Sequence, residues 1–160
     1  MGNSMISRRL GIGDREILLF LHTEQPPSRE EWDAVMADLR QYAERSDVRR
    51  IVTLVVSDGG GPDVSMRAEL MEYFKLHHLN MKTSVLTTSR FTRGIVSAVS
   101  WFNPQIKAFA PNRLPDAVNH IGLAPAAKPR LLRELADMER ELAPNDCLAQ
   151  INADPAGAST

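Results

Sequence analysis

A chain of 160 residues is long enough for one domain with a substantial core and short for two. Nineteen basic residues, fifteen of them arginine, face twenty acidic ones, and the net charge of -1 excludes bulk electrostatic attraction to nucleic acid or an anionic membrane. One cysteine, Cys147, excludes an intrachain disulfide, and no run reaches the roughly 20 apolar residues of a membrane span. The opening residues lack the apolar core of a signal peptide, and Ile6 stands where a myristoylation signal needs serine or threonine, so a cytoplasmic protein is expected.

In chain order, a weak strand at 5–10, the turn GIGD and the apolar run EILLFL at 16–21 predict an N-terminal hairpin. After Pro26 and Pro27, Ser28 and Glu31 form a capping box ahead of Trp32, Val35, Met36, Leu39, Tyr42 and Ala43, which recur at helical spacing. RIVTLVV at 50–56 is β-branched at most positions, as a central strand covered on both faces should be. The turn SDGGGPD follows, then a helix over 65–79, a strand at 82–88 and a helix over 92–102 with Ile95, Val99 and Phe102 on one face. Asn103-Pro104 stops that helix, 105–110 gives a short strand, and 115–123 a short helix. Residues 128–142 carry Leu131, Leu132, Leu135, Met138 and Leu142 as a stripe. Residues 144–160 show no periodicity and are expected to form a flexible tail behind an amphipathic helix at 124–143. Such an order implies an α/β domain over 5–123, with helices packed on a mostly parallel sheet of four to five strands.

The order hairpin, helix, strand, helix, strand, helix, strand, helix resembles the STAS domain of anti-sigma-factor antagonists. In that family a strand leads into Asp-Ser-Ser-Gly-Leu at a helix start, and a partner kinase phosphorylates the second serine. Here SDGGGPDVSMRAEL occupies the place, with Asp63 and Ser65 on the Asp-x-Ser pattern. Met66 and Arg67 replace Gly and Leu, and the turn is longer and richer in glycine. SVLTT, RGIVSAVSW, IKAF and PDAVNHIGL are similar to the family's closing units. The resemblance implies a non-catalytic regulatory module that recognises a partner protein, a kinase or another signalling protein, with no cofactor.

The candidate partner surface is the carboxyl edge of the sheet, where strand ends form the usual crevice, and it gathers Asp58, Asp63, Ser65, Arg90 and Arg93. Ser65 has two readings, a cap for the helix that follows or the phosphorylated serine. The glycines lack the lysine of a nucleotide-binding loop and the spacing of a dinucleotide fingerprint, and Asp58 and Asp63 would repel a free anion. A receiver-domain reading fails for want of an acidic pair after the first strand, where only Thr23 and Glu24 stand, and Lys107 is its one candidate cation. Adjacent His77 and His78 point about 100° apart on a helix, so no metal site is expected. The alternative function is binding of a small apolar ligand or lipid, as in STAS-like or SEC14-like pockets, between helices and sheet near Met71, Phe74, Val99 and Phe102; an enzyme ranks third. The leucine stripe of the last helix is read as packing on its own domain, with a second copy of the chain as the alternative.

Overall fold

The structure, a computed structural model, describes residues 2–45, 47–100 and 103–153. Met5–Ile12 (β1) pairs antiparallel with Arg15–His22 (β2), joined at Gly13 and Asp14. From there helix and strand alternate: Arg29–Arg45 (α1), Ile51–Ser57 (β3), Val64–Leu76 (α2), Thr83–Thr87 (β4), Arg90–Ser100 (α3) and Ile106–Phe109 (β5). Strands β2 to β5 are parallel, and all five lie side by side in chain order. The mostly parallel sheet behind a hairpin, expected from sequence, is therefore the observed one.

Strand order decides where the helices go. Each step from β2 to β5 moves one place in the same direction, and right-handed crossovers then put α1, α2 and α3 on one face. The elements after β5, Leu114–His120 (α4), Lys128–Leu142 (α5) and Asp146–Ala153 (α6), cover the other. The period of two along a strand divides its side chains between these layers. Ile17, Leu19, Leu21, Val52, Leu54, Val56 and Leu86 join Leu114, Ile121, Leu131, Leu135, Met138 and Leu148 in the larger core. On the opposite face, Leu18 and Ile51 meet Trp32, Met36, Leu39, Tyr42, Met66 and Phe74. With neighbours on both edges and cover on both faces, β3 buries six of its seven residues, as its β-branched sequence demands.

In the C-terminal region one expectation agrees with the structure and one is corrected. The stripe of α5 packs on its own domain, as read from sequence, with Leu131, Leu135 and Met138 fully buried against the hairpin of the sheet. Residues 146–153, expected within a flexible tail, form α6, which sends Cys147, Leu148 and Ile151 into the core. Three apolar residues in one short helix are too few for periodicity to register, and part of its cap comes from far away. The Asp58 carboxylate accepts hydrogen bonds from the backbone N–H of Asp146 (3.1 Å) and Cys147 (2.8 Å). Asn145 completes the cap, its Oδ1 accepting from Leu148 N at 2.9 Å while its Nδ2 donates to the carbonyl of His22 at 3.0 Å. Burial pushes the Cys147 thiol up to about 12, so it stays protonated and unreactive at neutral pH. Among the described residues no helix is long and apolar enough to cross a membrane.

Candidate functional site

The glycine turn is built for close backbone approach. Ser57 ends β3, its hydroxyl donating to the carbonyl of Gly60 at 2.6 Å and accepting from Gly59 N at 3.0 Å. Gly59 has φ of 121°, which disfavours a side chain. Gly60 N donates to the carbonyl of Thr23 at 2.9 Å, and a Cβ at position 60 would lie 2.3 Å from the carbonyl oxygens of both Thr23 and Gln25. The turn is thus wedged against the loop leaving β2. Beyond it, the carboxylate of Asp63 accepts from Met66 N at 2.8 Å and caps α2. Ser65, one of whose readings was that cap, lies inside the first turn and is exposed, because the helix starts one residue earlier than expected.

Behind the turn, the sheet and α1 to α3 border a partly open cavity of about 360 Å³. Phe20, Thr53, Val55 and Val85 form its floor, Leu70, Met71 and Phe74 of α2 one wall, and Phe91, Ile95, Val96 and Val99 of α3 the other. None of the residues of α3 is buried. An amphipathic helix needs cover for its apolar face, and here that face borders the cavity.

At the carboxyl edge, His22 and Trp32 line the same cavity, each only 4% exposed. His22 Nδ1 and Trp32 Nε1 are buried without a hydrogen-bond partner among the described residues. Burial lowers the His22 pKa to about 4, against a smaller raising effect of Glu31, so the imidazole is neutral at pH 7. Its folded pKa lies below the unfolded value of 6.5, so the stability contributed by the neutral ring is complete above pH 6.5 and is lost as pH falls toward 4. The gap corresponds to about 3 kcal/mol. Burial also works to raise the Glu31 pKa, but hydrogen bonds from Ser4 and Ser28 outweigh it and hold the carboxyl below 4.5, so its contribution is lost only at more acid pH. His22→Leu should therefore remove most of the stability loss between pH 6.5 and 5 in urea titrations; parallel losses in variant and wild type would contradict this.

Of the residues singled out from sequence, Met71, Phe74 and Val99 line the cavity, and Phe102 lies outside the described residues. Thr92 Oγ1 donates to the carbonyl of Gly59 at 3.1 Å, which stitches the start of α3 to the turn and brings Asp63, Ser65, Arg90 and Arg93 to one edge. Within that edge Arg93 donates to the carbonyl of Thr87 at 2.8 Å, while Arg90 is exposed. Asp58, half-buried, has its carboxylate engaged by the backbone N–H groups of α6. Sequence reasoning missed His22, Trp32 and Arg67 as cavity residues. The alternation along β2 carries a signal for His22, which shares a face with Leu18 and Phe20; Arg67 has none.

The sheet order, with crossover helices on one face and the C-terminal helices on the other, defines a SpoIIAA-like, that is STAS-like, α/β fold. Among solved structures, the chain is similar to an uncharacterised protein of the DUF3478 family with a SpoIIAA-like fold from Shewanella loihica PV-4. The two share 15% identity at a TM-score of 0.56, over 74% of this chain and 94% of that one. No family model and no curated protein matches the sequence.

Proposed function

We propose that this SpoIIAA-like domain is a non-catalytic module that takes a small apolar molecule into the cavity between its sheet and α1 to α3. The carrying observation is α3, whose apolar side chains Phe91, Ile95, Val96 and Val99 border the cavity while no residue of the helix is buried. A ligand there completes the core on this face, each Å² of apolar surface removed from water contributing about 25 cal/mol. The volume of about 360 Å³ falls in the range of small-molecule sites, roughly 300–1,000 Å³. The neutral probe N-phenyl-1-naphthylamine should bind saturably, one per chain. Val85→Phe, which places a ring in the floor, should weaken binding tenfold or more while leaving the protein folded. No saturable binding, or equal binding by a folded Val85→Phe, overturns the reading.

A second reading, recognition of a signalling partner at the glycine turn, is favoured by two large apolar side chains left in solvent at that edge, Val64 (73% exposed) and Phe91 (79%). Ser65 stands exposed beside Val64 in the first turn of α2, where the helix dipole favours a phosphate, although Asp63 opposes it. Under this reading Ser65→Asp changes which proteins the chain retains from a lysate of its own source. Identical retention by wild type and variant removes the switch.

A further inference from the structure

The charge of the cavity is one-sided. Among the described residues of its lining, Arg67 is the only charged one, and none is Asp or Glu. The guanidinium is half-buried and donates to the carbonyl of Pro62 at 2.7 Å. None of the ion pairs among the described residues involves it. The two carboxylates nearest in sequence are committed elsewhere, Glu69 to Arg29 at 2.7 Å and Asp63 to the cap of α2. Filling the cavity with a purely apolar molecule would strip water from this cation and give nothing back, whereas an anionic group would answer it with a charge-assisted hydrogen bond.

Position sets the orientation. Arg67 lies in the first turn of α2, just past the glycine turn, and Ser57 and His22, paired in register, mark the same edge of the sheet. Phe74, Met81 and Thr83 line the cavity toward the opposite edge. Between them, the step from Ser57 to Thr53 covers about 13 Å at ~3.3 Å per residue. The cavity is thus an apolar channel along the strands with one cation at its carboxyl end. A single guanidinium, partly engaged by Pro62, matches one negative charge better than the two of a phosphate monoester.

We propose that the ligand is an aliphatic monocarboxylate, its carboxylate beside Arg67 and its chain along β3 and β4 toward Phe74. This rests on the cavity being a ligand site, and one calorimetric comparison separates the two ideas. Dodecanoate and dodecanol are titrated into wild type and Arg67→Met, which keeps an apolar stem. Wild type should bind dodecanoate at least tenfold more tightly than dodecanol; Arg67→Met should reduce that preference to about twofold while its dodecanol affinity, the control for an intact fold, is retained. Dodecanol binding as tightly as dodecanoate in wild type, or a preference that survives in Arg67→Met, overturns the head-group assignment and leaves the cavity as a ligand site. Binding of neither compound to wild type overturns both.

Discussion

Leu148→Ala is expected to lower the stability of the whole domain by about 3–5 kcal/mol, the cost of a buried leucine truncated where the surroundings cannot collapse. Leu148 is fully buried and belongs to the same core as Leu54, Leu86 and Leu135, although it sits in the last helix of the described chain. Deleting residues 144–160 goes further, since it removes Leu148, Ile151 and Cys147 together. The two aliphatic side chains alone forfeit about 3–6 kcal/mol. Against a typical total of about 5–15 kcal/mol, that leaves a chain at the margin of folding. Asp58→Ala tests the other end of the latch: it withdraws the carboxylate from the N–H groups of Asp146 and Cys147 and should cost about 1–2 kcal/mol. Urea midpoints measure all three, and the order truncation, Leu148→Ala, Asp58→Ala, wild type is the expected ranking. A truncated chain as stable as the full one would mean that α6 is not packed as described.

Gly60→Ala is expected to cost about 3 kcal/mol or more, through steric overlap in a place that cannot yield. The added carbon would stand 2.3 Å from two carbonyl oxygens, those of Thr23 and Gln25, and both belong to backbone. Relief requires separating the glycine turn from the loop after β2 and losing the hydrogen bond from Gly60 N to Thr23. Gly61→Ala is the control, because nothing lies within 4 Å of a Cβ there and its φ is not in the left-handed range. It should stay within about 0.5–1 kcal/mol of wild type. At a urea slope of roughly 1–3 kcal/mol per M, the two variants differ by about 1 M or more in midpoint. Equal midpoints would show that the turn does not press on the loop.

Much of the architecture was legible because its signals are local. The capping box at Ser28 and Glu31 forms as its spacing implies, with Ser28 N donating to Glu31 Oε2 at 2.8 Å and Glu31 N to Ser28 Oγ at 3.1 Å. The leucine stripe of α5 marks a helix whose ends coincide with those expected, Lys128–Leu142. What stayed hidden depends on contacts between distant residues. The helix α6 carries few apolar residues, and its N-terminus is held by Asp58, 88 residues from Asp146. The role of Gly60 follows from a loop more than thirty residues earlier in the chain, and a glycine run reads the same whether it turns, cradles or wedges. Arg67 is an ordinary helical arginine in sequence; only the placement of α2 beside an apolar cavity makes it the one cation among the described residues of its wall. The asymmetry between the two faces of the sheet was legible only in part. Alternation assigns side chains to faces, but whether three crossover helices fill their side depends on how they pack.

Methyl-resolved NMR during titration with dodecanol tests most directly that the face under α1 to α3 is a ligand site. Saturable shifts should be confined to Val85, Ile95, Val96, Val99 and Leu70 around the cavity, while Leu54, Leu131 and Leu135 in the opposite core stay in place. No saturable shifts, or shifts spread equally over both cores, would contradict it.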